Sequence, residues 1–194
     1  MEHSEKHARL FDRIAMPYAW FFAGQVRAYA EHFKNHGHLL AEPAGRTALD
    51  IGCGTGAFTT ALRNAGWNVT GVDAAAGMVG QAARRGVRCI NKNILAGLPF
   101  ADASQDLVTA AYVAHGQRAA DRAILFSEMK RISRGMVLLH DYGPERSLVT
   151  DVIEWVEGGD YFNFIRTGLE EMRMVFGQVR SEERRVGKEC RSRW

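Results

Sequence analysis

The sequence of 194 residues contains only three cysteines, Cys53, Cys89 and Cys190. An odd, widely spaced set builds neither a disulfide framework nor a metal cluster, and it fits free thiols in a reducing compartment. No apolar run approaches the ~18–20 residues that would cross a bilayer. Met1 to Arg9 is polar and charged where a secretory signal needs an apolar stretch. A cytoplasmic location is therefore expected. Internal repeats and low-complexity tracts are also missing. With 46% hydrophobic and 24% charged residues the composition is that of a globular protein, excluding disordered and collagen-like chains. The length suits one domain, since cores split only beyond ~250–300 residues.

An excess of either charge is absent too, once the end of the chain is set aside. Arg180 to Trp194 reads RSEERRVGKECRSRW, with one valine as its only aliphatic side chain, and looks like the translation of a sequencing-library adapter. It is expected to be a non-native tail. Six of the 25 basic and three of the 22 acidic residues lie in it, so the remainder is neutral. A neutral chain with no basic stripe interleaved with aromatics is not expected to bind nucleic acid or a membrane surface.

What is present is periodic. Apolar residues at helical spacing predict helices over 4–15 and 18–34, a cap of residues 1–45 before the main domain, 46–179. Thr47 to Ile51 reads as a buried strand. Phe58, Ala61, Leu62 and Ala65 then follow at i, i+3, i+4 and i+7, ahead of a strand over Trp67 to Val72. The alternation continues with a helix over Ala75 to Arg84, strands over Val87 to Asn91 and Asp106 to Tyr112, a helix carrying Leu125, Met129 and Ile132, and a strand over Met136 to His140. Helices over 148–156 and from Tyr161 to Met174 complete the reading. Five mostly apolar strands separated by helices predict an α/β, Rossmann-like, doubly wound parallel sheet in the order 3-2-1-4-5. Its ligand crevice lies at the carboxyl ends of the strands, where strand order reverses.

The strongest local signal sits there. Asp50-Ile51-Gly52-Cys53-Gly54-Thr55-Gly56-Ala57 is a strand that breaks into glycines and opens a helix. Such a loop admits close backbone approach and turns N–H groups toward a ligand. It fits Gly-x-Gly-x-Gly and, through Gly52, Gly54 and Ala57, also a dinucleotide fingerprint. Asp73, ending the second predicted strand, stands where a carboxylate meets the hydroxyls of an adenosine ribose, or where it caps the next helix. Neither feature separates two adenosine cofactors. Asp50, two residues before the first glycine, does: an acid at the mouth of the first strand repels a pyrophosphate and complements a sulfonium.

The blocks Leu49 to Gly56, Gly71-Val72-Asp73, Leu98-Pro99-Phe100 and Asp106-Leu107-Val108 together resemble the class I S-adenosylmethionine-dependent methyltransferases. The resemblance covers residues 9–141 and is nearest the ubiquinone- and menaquinone-biosynthesis-like small-molecule branch, whose members often begin with a segment like Phe11 to Tyr18. It implies S-adenosyl-L-methionine as cofactor, no metal, and a small-molecule methyl acceptor. By the same resemblance Asp50 lies near the methionine end, and Gly52, Cys53, Gly54 and Gly56 form the loop that wraps the cofactor. Asp73 would hold the ribose. Ala74 and Met78 would lie against the adenine, and Asn93-Ile94 would stand where the family's acid meets the adenine amino group. Tyr112 to His115 would border the methionine and the acceptor, and Tyr18 would close the pocket. The family's sheet has seven strands. Its terminal hairpin is not found here beyond Phe176 to Val179, which leaves the fifth strand an open apolar edge and predicts a marginally stable product.

Methyl transfer needs alignment and, for a hydroxyl or carbon acceptor, a base. His115 and His140, at the ends of strands, are the candidates, against the alternatives of a packing histidine and of a hydrogen-bonded His140-Asp141 pair. Cys53 lacks the partner a nucleophile needs. The aromatics Tyr18, Trp20, Phe21, Phe22, Trp155, Tyr161, Phe162 and Phe164 are expected in the core or over the acceptor. A binding module that holds the cofactor without using it, and an NAD-dependent oxidoreductase lacking room for its substrate domain, are the alternatives.

Overall fold

The computed structural model describes residues 9, 12, 15–16, 20–36, 46–143, 150–151, 158–186 and 189–193, with the backbone alone described from 182 onward. Helix α1 spans Phe22–His36, followed by β1 (Thr47–Ile51), α2 (Ala57–Asn64), β2 (Asn68–Asp73), α3 (Ala76–Ala83) and β3 (Cys89–Asn91). Then come β4 (Gln105–Ala111), α4 (Ala119–Ile132), β5 (Ser133–His140) and α5 (Tyr161–Phe176). The five strands form one sheet in the order β3-β2-β1-β4-β5 with every pair parallel, as the alternating pattern predicts.

Side-chain alternation explains the layers. Along β1, Ala48 faces one side with Phe33, Phe58, Leu62, Trp67, Val69 and Leu107. Leu49 and Ile51 face the other with Val108, Phe126, Met129 and Phe164. The period of two thus divides the core between α1 and α2 on one face and α4 and α5 on the other. Within the second of these layers Arg122 of α4, a fully buried guanidinium, staples that helix to α5. It donates to both carboxylate oxygens of Glu171 at 2.6 and 2.8 Å and to Asp160 at 2.9 Å. Its plane also stands 5.5 Å from the Phe164 ring centre. Burial opposes the charged form, but its acidic partners outweigh that and raise its affinity for the proton; Arg122 in turn holds Glu171 below the usual carboxylate range.

Several sequence expectations shift. Trp20 and Phe21, expected in or beside the core, are 83% and 67% exposed, because α1 begins only at Phe22 and presents Tyr29 and Phe33 to the sheet instead. Strand β5 starts at Ser133 rather than Met136. Gln105 pairs with Ser133 across an irregularity, and Gly135 makes room there: a Cβ on it would stand 2.5 Å from the Asp106 carbonyl oxygen. Of the helices expected over 4–15 and 148–156, only Arg9, Asp12, Ala15, Thr150 and Asp151 are described, all helical, and Tyr18 and Trp155 lie outside the described residues. The terminal segment forms β6 (Glu182–Val186) and β7 (Glu189–Arg193), an antiparallel pair in a sheet of its own. Among the described residues β5 pairs only with β4 and so is an edge of the five-stranded sheet.

Candidate cofactor and acceptor site

The carboxyl ends of β2, β1 and β4 lie side by side and deliver Asp73, the glycine loop and Tyr112 to one rim of the sheet. The loop leaves β1 with Gly52 and Cys53 both donating their N–H groups to the Val72 carbonyl, at 2.7 and 3.1 Å. Gly52 has φ +70°, and a Cβ there would come within 2.3 Å of Val113 Cγ2. Only glycine lets the loop and the β4 exit approach so closely.

Asp73 ties the rim together. Its Oδ2 accepts the Gly54 N–H and its Oδ1 the Ala75 N–H, each at 2.8 Å. The N-cap of α3 is Ala75, so Asp73 does not cap the helix but ties the loop to the residue that opens it. Burial raises its carboxyl above the ordinary value against the pull of those N–H groups. Beyond Asp73, Ala74 is exposed, while Met78 is buried with Ala15 and Ala75. Asp12 also reaches this end, its Oδ1 accepting the Gly77 N–H at 2.7 Å. Asn93 is half-buried and its side-chain oxygen accepts the Leu95 N–H at 3.0 Å, starting a short turn whose Ile94 packs on the core.

Asp50 is turned inward, not toward the mouth. It is 1% exposed, accepting the Thr59 hydroxyl at 2.6 Å and the Thr109 hydroxyl at 2.9 Å. Thr109 is its register partner on β4, and Thr59 stands in the first turn of α2. Burial pushes the carboxyl up to about 7, more than the two hydroxyls draw it back. The acid therefore fixes strand β1 to α2 and β4, and the expected charge complementarity does not come from a carboxylate lining the rim.

The two histidines part company. Alternation along β5 sends His140 to the α1 and α2 face, its ring centre 5.6 Å from Tyr29, 5.1 Å from His32 and 6.1 Å from Phe58. Asp141, next in chain, faces the opposite side and meets His115, not His140: His115 Nδ1 stands 2.6 Å from Asp141 Oδ1. Asp141 Oδ2 also accepts the Val113, Ala114 and His115 N–H groups at 3.2, 2.9 and 3.4 Å, and its Oδ1 that of Tyr142 at 2.8 Å. A carboxylate so employed is an acceptor throughout, so the imidazole proton sits on Nδ1 and the basic nitrogen is Nε2. Tyr112 has φ +56°, unusual for a residue with a side chain. Its ring stands edge-on to His140 and Tyr142, both at 5.1 Å, and Tyr142 also lies 4.8 Å from His115. Tyr161 at the start of α5 continues the cluster, 5.2 Å from Tyr142 and 5.1 Å from Phe162. Sequence reading did not find the Asp141–His115 pairing, since 26 residues separate the partners. The signal available was parity: residue 141, directly after the last residue of β5, faces the way opposite to residue 140.

Sheet order, the glycine loop at the β1 exit and a rim acid at the β2 end define a Rossmann-like domain built for an adenosine-type cofactor. Residues 49–138 match the family model described as "Methyltransferase domain". The matched segment runs from β1 through the glycine loop into β5. It is 32% identical over 127 residues to a malonyl-[acyl-carrier protein] O-methyltransferase of Erwinia billingiae, a match covering 65% of this chain and 48% of that protein. It is 37% identical over 97 residues to an uncharacterized methyltransferase of Mycobacterium sp. (strain JLS), covering 47% of this chain and 36% of the relative. The chain thus spans about half or less of these relatives. The same fold occurs in phosphoethanolamine N-methyltransferase 2 of Haemonchus contortus, solved with phosphomonomethylethanolamine and S-adenosylhomocysteine. There the TM-score is 0.68 and the identity 22%, over 89% of this chain and 43% of that one. A putative S-adenosylmethionine-dependent methyltransferase of Methanococcus maripaludis superposes with TM-score 0.65 and 20% identity, over 100% and 93%. Among the described residues no helix is long and apolar enough to cross a membrane, and no cluster of three or more His, Cys, Asp or Glu could hold a metal ion.

Proposed function

We propose that this protein transfers a methyl group from S-adenosylmethionine to a small-molecule acceptor. The observation that carries the proposal is the brace of Asp73 on Gly54 at 2.8 Å, which sets a carboxylate and a glycine cradle side by side at the ends of two adjacent parallel strands. The residues fit the cofactor. A ribose beside Asp73 gives that carboxylate two hydroxyls to accept, and at Gly54 a Cβ would meet nothing within 4 Å, so the loop is open on that side. Gly52, Cys53, Gly54 and Gly56 wrap the cofactor, Ala74, Met78, Asn93 and Ile94 flank its base, and Tyr112 borders its methionine. The cofactor supplies an already activated methyl group. The protein's contribution is to align it with the acceptor, exclude water and remove a proton.

His115 is the base in this reading. The Asp141 carboxylate fixes its tautomer and stabilises the imidazolium that forms when Nε2 takes the acceptor's proton. Tyr112, Tyr142 and Tyr161 wall the same place with apolar rings that keep water away. His140 packs behind Tyr112 toward α1 and α2 and is not the base in this proposal, and Asp50 holds β1 in place behind the loop. The acceptor is a small molecule with a dissociable proton at oxygen, nitrogen or carbon, as supported by the phosphoethanolamine-type ligand of the Haemonchus neighbour.

The test is label transfer from methyl-labelled S-adenosylmethionine to a panel of small hydroxyl, carboxyl, amine and activated-carbon compounds. Transfer to at least one class is expected. His115→Gln is expected to lower that turnover by ~100-fold or more while S-adenosylhomocysteine binding is kept. Cofactor binding without transfer to any class would instead favour the binding-module reading.

A further inference from the structure

Cys53 of the glycine loop and Cys89 of β3 lie 36 positions apart in the chain and on opposite sides of β2, yet their sulfurs stand 2.7 Å apart. The strand between them explains the meeting. Gly71 of β2 is the register partner of both Asp50 and Cys89. With no side chain it leaves an opening that the two thiols fill: a Cβ on Gly71 would stand 2.7 Å from the Cys53 sulfur and 3.5 Å from that of Cys89. Cys53 is buried and Cys89 half-buried, so Cys89 is the more open residue of the pair. Both are reduced in this structure.

We propose that Cys53 and Cys89 are a modification site, a thiol pair that closes to an intramolecular disulfide under a peroxide oxidant and thereby ties the cofactor loop to β3. The sulfur of the more open Cys89, as thiolate, attacks one oxygen of hydrogen peroxide. The S–O bond forms, the O–O bond breaks, and hydroxide leaves to become water with the thiol's proton. The Cys53 sulfur then attacks the Cys89 sulfur. The S–S bond forms, the S–O bond breaks, and oxygen departs as a second water carrying the Cys53 proton. The two thiols lose two electrons and two protons, and the peroxide is reduced to two waters. A disulfide needs the sulfurs at ~2.05 Å, so from 2.7 Å they have to close by less than ~1 Å.

The bond bears on function because Cys53 sits between Gly52 and Gly54. Drawing its side chain toward β3 pulls on the Gly54 N–H that Asp73 accepts. This part rests on the cofactor reading above, and the chemical part does not.

The experiment treats the full chain carrying Cys190→Ser with hydrogen peroxide, then measures intact mass, alkylatable thiols and the cross-linked peptide after digestion. A monomer ~2 Da lighter, with Cys53 linked to Cys89 and both thiols protected from alkylation, is expected. Cys89→Ser and Cys89→Ala, two separate replacements outside the loop, are expected to lose the link and leave Cys53 alkylatable or singly oxidised. The proposal is overturned if both thiols stay alkylatable or if the link joins two chains. Calorimetry then compares S-adenosylhomocysteine binding of the oxidised and reduced forms, with at least ~5-fold weaker binding expected after oxidation. Equal affinities with the link formed overturn the coupling to the loop. No binding even by the reduced protein overturns the cofactor assignment and leaves the disulfide result standing.

Discussion

Replacing Asp50 with asparagine tests how the structure anchors the loop from behind. The carboxyl is 1% exposed and its proton affinity is raised from the ordinary 3.8 to about 7, chiefly by burial. A folded-state value above the unfolded one means that the folded protein holds the proton more tightly. The stability this contributes is fully present below pH 3.8 and is lost as pH rises to 7, where the charge must be carried in a dry site. Integrating between those two values, the wild type loses roughly 3 kcal/mol between pH 5 and pH 8 through this one group. Asparagine removes the ionisation and keeps the geometry: its oxygen accepts the Thr59 hydroxyl, and its amide donates to Thr109, whose own proton can turn to the Leu49 carbonyl 3.4 Å away. Urea melts of both proteins at pH 5, 6, 7 and 8 read the difference directly, since all other groups titrate alike in the two. The variant is expected to gain roughly 3 kcal/mol on the wild type across that range. Parallel pH profiles would refute the account of Asp50 as a buried, hydroxyl-bound acid.

Three further outcomes follow from the same geometry. Arg122→Ala leaves Glu171 and Asp160 without their cation and is expected to cost ~3–5 kcal/mol, lowering Tm by ~10 °C, as read by differential scanning calorimetry. Gly52→Ala places a methyl 2.3 Å from Val113 Cγ2 at a φ of +70° and is expected to destabilise by ~2–4 kcal/mol and abolish cofactor binding, measured by urea melts and calorimetry. Asp141→Asn is expected to reduce turnover about as much as His115→Gln, ~100-fold, and to move the rising, acidic limb of the rate profile to lower pH, because the imidazolium loses its carboxylate partner. An unchanged profile would separate Asp141 from proton removal.

The sheet was legible because its strands obey one rule. Thr47–Ile51 is an apolar run cut by glycine, and buried parallel strands have no other pattern. The glycine loop and Asp73 were legible because their chemistry is local, a strand end followed by a helix. What sequence did not disclose depends on contacts across the sheet. Asp50 reads as a rim acid until Thr109 and Thr59 are seen to enclose it, and His140 reads as a base until strand parity turns it toward Phe58. The Arg122 staple joins residues up to 49 apart, and the Cys53–Cys89 contact exists only because Gly71 stands between them. The start of β5 was missed for a different reason: Ser133-Arg134-Gly135 carries no strand signal, and its pairing is imposed by β4 through Gln105.

The central claim is that an S-adenosylmethionine-type cofactor sits where β1 opens into α2, with its ribose on Asp73. Calorimetric titration of the full chain with S-adenosylhomocysteine and with NAD tests it most directly, repeated on Asp73→Ala. The account predicts a single site for S-adenosylhomocysteine, no measurable NAD binding, and affinity lowered ~10–100-fold by the substitution. Binding of NAD in place of S-adenosylhomocysteine, or an affinity that Asp73→Ala leaves unchanged, would contradict it.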